Sequence, residues 1–260
     1  MDLREKNVVI TGASSGIGRA TALEMARRGA NVVLAARRGA RLEEVAAECR
    51  AAGVRAITVT TDVTNPVDCR RLIETAGEVD VLVNNAGFAI FSSVVEANAD
   101  EVREMMETNY LGAFHCTQAV LPRMLARRSG TIVNVSSITG LMGFARMSAY
   151  CASKFALTGF TEALRAEVSG SGVRVALVCP GTTNTEFFVK AERGKMPGAS
   201  RMMLAVEPQR VARAVCDAAE DGRYRRILPA LAAIYMRFKE FFPRTAHLLF
   251  RRVSAFLERR

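Results

Sequence analysis

The stretch Asn7-Val-Val-Ile-Thr11-Gly12-Ala-Ser-Ser-Gly16-Ile-Gly18 decides the fold of this 260-residue chain. Its β-branched run predicts a buried parallel strand, and the pattern after the glycines predicts a helix through Arg28. A strand, a glycine turn and a helix start are typical of a dinucleotide site. The glycines let the backbone approach a pyrophosphate, and free N–H groups at the helix end bind its oxygens. Since Gly-x-x-x-Gly-x-Gly is not the commoner glycine fingerprint, the strand–turn–helix context carries this prediction.

The end of the second predicted strand bears on the choice of cofactor. This strand, Asn31–Ala36, has no acid at its end and is followed by Arg37 and Arg38. A carboxylate here would bind the adenosine ribose 2′-OH, whereas an arginine accommodates a 2′-phosphate. Arg37, with Ser14 and Ser15 as further donors, therefore favours NADP(H) over NAD(H). The alternative is that the two arginines simply open a solvated helix.

Strands and helices alternate along the rest of the chain. Strands are predicted at 55–60, 79–83, 131–135, 173–178 and 224–228, and helices at 41–50, 65–76, 100–128, 147–169 and 208–221. This alternation predicts an α/β fold, a doubly wound parallel sheet of Rossmann type in three α/β/α layers. We expect one domain over 1–228, with a lid at about 184–206, and a C-terminal extension over 229–260. Polar residues and glycines follow the strands, at the edge where such sheets bind ligands.

A second stretch, Ser136–Lys154, carries a chemical pattern. Tyr150 and Lys154 are four residues apart, so on a helix they share one face. A nearby ammonium lowers the pKa of a phenol, normally ~10, and makes it usable as an acid or base. Ser137 precedes a glycine-containing loop, and its hydroxyl can donate to a carbonyl or alkoxide oxygen. On spacing alone, Tyr-x-x-x-Lys is equally typical of an ordinary surface helix.

Several motifs occur together and in order over most of the chain. They are Thr11-Gly12-x-x-x-Gly16-x-Gly18, Asn84-Asn85-Ala86-Gly87, Asn109, Ser137, Tyr150-x-x-x-Lys154 and Pro180-Gly181-x-x-x-Thr185. With these motifs the chain resembles a short-chain dehydrogenase/reductase of the single-domain type. Each motif is weak alone, and their combination carries the resemblance.

The resemblance implies hydride transfer between a nicotinamide and a ketone or secondary alcohol. Tyr150 would be the acid or base, and Ser137 would orient the carbonyl. Lys154 would lower the pKa of the tyrosine and bind the nicotinamide ribose, and Asn109 would hold a water connecting Lys154 to solvent. Cofactor contacts are expected at motif and strand-end positions: Gly12, Ser14, Ser15, Gly16, Ile17, Gly18, Arg37, Asp62, Val63, Asn85, Ala86, Gly87, Tyr150, Lys154, Pro180, Gly181 and Thr185.

The substrate is less determined than the reaction. The predicted lid is rich in aromatic and methionine side chains: Phe187, Phe188, Met196, Met202, Met203 and Leu204. Leu141, Met142 and Phe144 are expected on the opposite lip. Such a lining suits a lipophilic carbonyl or alcohol, for example a steroid, a retinoid or a long-chain acyl compound. These residues could equally pack the lid onto the body or form a subunit contact.

Charge and composition exclude some classes. Residues 222–260 carry ten Lys/Arg and two Asp/Glu, which is +8 of the total +10. The body is therefore nearly neutral, and the basic pI is no argument for nucleic-acid binding. Six cysteines without a C-x-x-C pair indicate buried reduced thiols of a cytoplasmic protein, and with only two histidines we expect no metal site.

The extension departs from the minimal family pattern. Two amphipathic helices separated by Pro243 are predicted, with apolar residues at helical spacing: Leu231, Ile234, Tyr235, Phe238, Phe241 and Phe242, then Leu249, Phe250, Val253, Phe256 and Leu257. These stripes should be buried against the body, a second subunit or an anionic membrane surface. Contact with a membrane surface therefore stays open. The family resemblance implies a homodimer or homotetramer.

Three functional classes follow from these patterns. The first is an active NADP(H)-dependent oxidoreductase, which the complete set of catalytic positions favours. The second is a catalytically silent NADP(H)-binding scaffold or sensor associated with a membrane surface. The third is a membrane-surface or nucleic-acid binder driven by charge, which accounts only for the basic extension.

Overall fold

A single parallel sheet forms the centre of the protein. The computed structural model describes residues 1–183, 205–246, 248 and 252. Its strands are β1 (Asn7–Thr11), β2 (Asn31–Ala36), β3 (Ala56–Thr60), β4 (Val81–Asn84), β5 (Gly130–Val135), β6 (Val173–Pro180) and β7 (Arg225–Leu228). They lie in the order β3-β2-β1-β4-β5-β6-β7. Since β1 has β2 on one side and β4 on the other, the winding reverses there and opens a crevice at the carboxyl edge.

Helices cover both faces of this sheet. They are α1 (Gly16–Arg27), α2 (Gly39–Ala51), α3 (Pro66–Ala76), α4 (Ala99–Met106), α5 (Gly112–Ala126), α6 (Ser148–Glu167), α7 (Pro208–Asp221) and α8 (Ala230–Phe241). The predicted fold class, a doubly wound parallel sheet of Rossmann type, is confirmed. No helix among the described residues is long and apolar enough to cross a bilayer.

Side-chain alternation along β1 shows why the sheet needs two helical layers. Val8 and Ile10 belong to one buried cluster together with Met25 of α1. Val9, between them, points to the opposite cluster, which contains Val120 of α5. Burying a side chain of this size contributes about 1.5–3 kcal/mol, so both faces of the strand stabilise the fold. The continuous β-branched run in the sequence reflects this two-sided burial. The six cysteines are also buried and reduced, as predicted.

The long helix predicted over 100–128 is present and contains a π-helical turn. A π-helical turn at Glu107–Leu111 joins α4 to α5 and contains Asn109, which is only 1% exposed. Single π turns inside α-helices often occur at functional sites because they redirect one side chain. Apolar spacing does not reveal one extra residue in a turn, so the sequence predicted the helix but not its π turn.

Only part of the predicted apolar stripe of α8 packs on the body, where Tyr235 contacts the same cluster as two residues outside the stripe. Ala232 and Met236 are buried in a cluster that also contains Tyr150. Leu231 and Ile234, predicted to be buried, are 68% and 65% exposed. Both sides of this helix carry apolar residues, so helical spacing could not decide which side packs. The stripe predicted after Pro243 lies outside the described residues.

Candidate active site

A cavity of about 460 Å³ follows the carboxyl edge of the sheet. Its walls come from the segments after β1 to β6, including Arg37 and Arg38 after β2 and Ser137 after β5. Because β2 and β5 lie on opposite sides of β1 and β4, the arginines and the serine mark its two ends. The cavity therefore joins a basic end to an end with hydroxyl groups.

Most of the residues expected to contact a cofactor line this cavity: Gly12, Ser14, Ser15, Gly16, Ile17, Arg37, Asp62, Val63, Asn85, Ala86, Gly87, Tyr150, Lys154, Pro180 and Gly181. Gly18 lies beneath it, where an added Cβ would come within 2.2 Å of the Gly12 carbonyl oxygen. Gly18 thus serves the packing of α1 on the turn. Thr185 lies outside the described residues.

The glycine turn after β1 is fixed to the segment after β4. Gly12 has a φ of +67°, and a Cβ there would meet the Ala86 Cα at 2.9 Å. The Thr11 hydroxyl accepts hydrogen bonds from the Asn85 and Ala86 backbone N–H groups at 3.0 and 3.1 Å. The Asn85 side chain donates in return to the Thr11 carbonyl at 2.9 Å. The floor of the cavity is therefore rigid, with backbone exposed to a ligand.

The basic end combines a guanidinium with two hydroxyls. The Arg38 Nη2 donates to the Ser15 Oγ at 2.8 Å and to the Ser14 Oγ at 3.2 Å. Arginine and hydroxyl donors together suit a phosphate group, and α1 begins at the adjacent Gly16. The residues at this end therefore fit a phosphate group of a bound dinucleotide. Sequence reasoning assigned this role to Arg37 and missed the contacts of Arg38.

Three polar side chains are buried at the other end. Tyr150, Ser137 and Lys154 are 7%, 8% and 4% exposed. Burial raises the pKa of Tyr150 above its ordinary value, against the lowering effect of hydrogen bonds with the Ser137 and Thr139 side chains. The Lys154 Nζ lies 6.0 Å from the centroid of the tyrosine ring and donates to the Val135 carbonyl at 3.1 Å. Desolvation is thus the larger effect on this pKa, and a lowering contribution from Lys154 stays a prediction.

Asn109 is held from three sides and does not line the cavity. Its Nδ2 donates to the Phe88 carbonyl and to the Ser153 Oγ, both at 2.9 Å, and its Oδ1 accepts from the Phe88 N–H at 2.9 Å. A Cβ at Gly87 would lie 2.8 Å from that Oδ1 and 3.4 Å from the Lys154 Nζ. Asn109 and Lys154 therefore face each other across Gly87, where a side chain would separate them. Sequence reasoning named Asn109 but not Ser153.

Burial of the Lys154 ammonium gives a stability prediction. Desolvation lowers its pKa to about 8, against the Coulombic effect of Cys179. In the unfolded chain the lysine pKa is ~10.4, so between about pH 8 and this value the unfolded state binds more protons than the folded state. Burial of the charged lysine therefore destabilises the fold fully below about pH 8. This destabilisation disappears as the pH rises toward ~10. Lys154→Met should therefore raise the free energy of unfolding by roughly 1–3 kcal/mol at pH ~7. Urea unfolding across this pH range measures the gain. Lys6→Met, at a lysine whose side chain is 41% exposed, should give no such gain; equal gains would contradict the prediction.

The cavity continues into an apolar cluster. It is formed by Ala89, Phe91, Met105, Ile138, Met142, Phe144, Met147, Tyr150, Cys151, Ala232 and Met236. Phe91, Phe144 and Met147 also line the cavity itself. Met142 and Phe144 were predicted at the lip of the site, whereas the predicted lid side chains from Phe187 to Leu204 lie outside the described residues. The end of the cavity with Tyr150, Ser137 and Lys154 thus has polar side chains surrounded by apolar ones.

Comparison with known proteins identifies the class. The short chain dehydrogenase family model matches residues 6–195. The human 17-beta-hydroxysteroid dehydrogenase 13 is 33% identical over 254 residues, with 95% of this chain and 82% of that protein covered. This chain belongs to the short-chain dehydrogenase family, as its motifs predicted, and is an NAD(P)-dependent oxidoreductase.

Solved structures agree in fold. A short-chain dehydrogenase/reductase from Burkholderia phymatum in complex with NAD superposes with a TM-score of 0.84 at 29% identity, covering 92% of this chain and 94% of that one. One from Sphingobium yanoikuyae in complex with NADPH gives 0.81 at 30% identity, covering 94% and 95%. Relatives of similar likeness thus bind either dinucleotide.

Proposed function

We propose that this protein reduces apolar ketones with NADPH, or oxidises the corresponding secondary alcohols with NADP⁺. The observation that carries the proposal is one continuous cavity. It has Arg38, Ser14 and Ser15 at one end and Tyr150 with Ser137 at the other, beside an apolar wall. A dinucleotide phosphate fits the first end, and a carbonyl group fits the second.

The chemistry of the proposed reaction divides between cofactor and protein. A bound nicotinamide supplies or accepts the hydride. The Ser137 and Tyr150 hydroxyls donate to the carbonyl oxygen and stabilise its developing negative charge, and Tyr150 delivers the proton. Because its pKa is raised, Tyr150 is protonated near neutral pH, the form that ketone reduction requires. Lys154 would orient the ribose, and Asn109 would hold a water beside Lys154.

The preference for NADP(H) rests on Arg38, with Arg37 also in the cavity wall. No carboxylate stands at the end of β2, where one would bind a free ribose 2′-OH. The guanidinium of Arg38, fixed on Ser14 and Ser15, gives a 2′-phosphate an oriented partner. One similar structure binds NAD and another binds NADPH, so the family fold alone does not select the cofactor. The side chains at the end of β2 are what favours NADP(H) in this protein.

The substrate class follows from the apolar wall. Phe91, Phe144 and Met147 line the cavity beside Tyr150, and apolar walls favour ligands with large hydrocarbon surfaces. The name of the human relative refers to a hydroxysteroid, which is a substrate of this kind. The test is NADPH oxidation with bulky apolar ketones and with small polar ones. Faster turnover of the polar set would refute the substrate class.

The silent scaffold remains the alternative function. It would bind NADPH in the same cavity without turnover, and the complete set of Tyr150, Ser137, Lys154 and Asn109 argues against it. The same ketone panel decides between the two. NADPH binding without oxidation by any ketone, and without reduction of NADP⁺ by any alcohol, would favour the scaffold.

Lys239 gives a prediction about substrate binding. Its Nζ donates to the Leu141 carbonyl at 2.6 Å and so joins α8 to the loop that carries Met142 and Phe144. Lys239→Met removes this charged hydrogen bond, worth about 1.5–3 kcal/mol, and loosens that wall. We expect KM for bulky apolar ketones to rise about tenfold, with NADPH affinity unchanged. Steady-state kinetics measures both, and Lys239→Arg, which keeps a donor, should retain most of the affinity. An unchanged KM in Lys239→Met would show that α8 does not shape the substrate site.

Assembly into a homodimer or homotetramer stays a prediction. Tyr110 and Phe114 each pack edge-to-face with Phe160, at 6.0 and 5.8 Å between centroids, and Phe155 nearby is 45% exposed. These aromatic side chains lie on α6 and on the helical segment that carries Asn109, the two helices through which the family resemblance implies that subunits pair. Phe155→Ser should therefore weaken assembly in sedimentation experiments if this face is the contact. A cytoplasmic location likewise stays a prediction.

A further inference from the structure

The outer face of α8 is exposed although its inner face is buried. We use the name outer face for the exposed apolar side chains of α8 and of the residues that follow it. These are Leu231, Ile234, Phe241, Phe242 and Leu248, which are 50–77% exposed. Several large apolar side chains exposed along one short segment of the chain are uncommon on a free surface and indicate an interaction site. Since Ala232 and Met236 already fix the helix to the protein, the outer face is available to something else.

Arginines are concentrated on α8 and on the neighbouring elements at this edge of the sheet. The basic rim consists of exposed arginines on α7, β7, α8 and the residues between and after them: Arg210, Arg213, Arg223, Arg225, Arg237, Arg244 and Arg252. Arg225 forms a 2.8 Å ion pair with Glu240, which joins the start of β7 to the end of α8. A neighbouring cavity of about 510 Å³ is lined by five arginines and a single acid, Asp217. Even with the pairs to Asp221 and Glu240, positive charge dominates this edge of the sheet.

We infer that the outer face and the basic rim bind the surface of a bilayer containing anionic lipids. The aliphatic and phenylalanine side chains would enter the boundary between headgroups and acyl chains, and the arginines would contact lipid phosphates. Charge complementarity distinguishes this partner from a second copy of the chain. A two-fold contact through this surface would bring arginines of one rim against those of the other, which is repulsive.

Binding here would place the reaction site close to the bilayer. The inner face of the same helix belongs to the cluster that contains Tyr150 and Phe144. A ketone dissolved in the membrane would then have a short path to the apolar wall. The short path for a membrane-dissolved ketone rests on the proposed function, because it assumes an apolar substrate. The binding of α8 to the bilayer does not depend on the substrate.

The test uses the full-length protein and sedimentation with vesicles. Vesicles of phosphatidylcholine alone are compared with vesicles of phosphatidylcholine and phosphatidylglycerol, at low and at high salt. The protein should bind the anionic vesicles, bind the neutral ones at least about tenfold more weakly, and lose binding as salt screens the arginines. No binding to anionic vesicles at low salt would overturn the inference.

Two variants locate the surface. Leu231→Ser with Phe241→Ser removes two side chains that are 68% and 77% exposed, so folding should be unaffected while vesicle affinity falls about tenfold or more. Arg237→Gln with Arg244→Gln should lower affinity for anionic vesicles by a similar factor. Val67→Ser, at a 55% exposed valine on α3, is the matched control and should bind as the wild type does.

Other outcomes would refute the inference separately from the proposed function. Unchanged vesicle binding in both double variants would place the contact elsewhere. A smaller assembly in Leu231→Ser with Phe241→Ser, without any vesicle binding by the wild type, would assign the outer face to a second copy. NADPH titration accompanies each measurement, so that loss of the fold or of the cofactor site is detected independently.

Discussion

Replacing Tyr150 by Phe should lower the rate of ketone reduction by at least ~100-fold, the usual size of a lost acid catalyst, while NADPH still binds. The change removes one hydroxyl and keeps the ring that packs with Met147 and Phe144. Ser137 remains as a donor to the carbonyl oxygen but cannot replace the proton that Tyr150 delivers. Single-turnover measurements with saturating NADPH separate this chemical step from binding.

A matched control exists in the same region of the molecule. Tyr235 packs against the cluster that contains Tyr150, and its hydroxyl donates to the Ala246 carbonyl at 3.0 Å. Tyr235→Phe is thus the same chemical change without access to the reacting group, and turnover should stay close to that of the wild type. If Tyr150→Phe reduces ketones as well as Tyr235→Phe does, the proposed proton donor is another group.

The part of this structure that was predictable depends on local patterns that repeat. Strands buried on both faces must be apolar throughout, so runs such as Val8–Thr11 identify the parallel sheet. The strand–glycine–helix unit then marks the carboxyl edge, where the cavity lies. These features are consequences of short-range sequence, and the fold and family derived from them are confirmed.

What could not be predicted depends on packing between distant segments. The pKa of Tyr150 is set by the depth of its burial, which no i, i+4 spacing reveals. The bond from Lys239 to Leu141 joins residues 98 positions apart. The buried side of α8 was decided by its fit to the body, since two sides of the helix were apolar. Arg38, and not the adjacent Arg37, contacts Ser14 and Ser15. This choice likewise depends on the backbone conformation after β2.

The cofactor preference can be inverted at the end of β2. If the proposed NADP(H) site is right, NADPH should bind the wild type more tightly than NADH, because Arg38 and Arg37, which line the cavity, would then meet the 2′-phosphate. Ala36→Asp with Arg38→Ala replaces an oriented guanidinium by a carboxylate, which repels that phosphate and accepts a hydrogen bond from a ribose 2′-OH. Loss of the charged hydrogen bonds alone, at about 1.5–3 kcal/mol, predicts roughly a 10–100-fold weaker affinity for NADPH. Fluorescence titration with both nucleotides measures the two affinities.

Two further variants show which arginine is responsible. Ala36→Asp with Arg37→Ala keeps Arg38 on Ser14 and Ser15, so it should retain more NADPH affinity than the Arg38 variant. Arg41→Ala is the control, since this arginine is exposed, pairs with Glu44 on α2 and does not line the cavity. Salt should weaken NADPH binding to the wild type more than NADH binding, because only the 2′-phosphate adds charge at the arginines. Equal wild-type affinities for the two nucleotides would leave Arg38 as a structural cap on the glycine turn, without a part in selecting the cofactor.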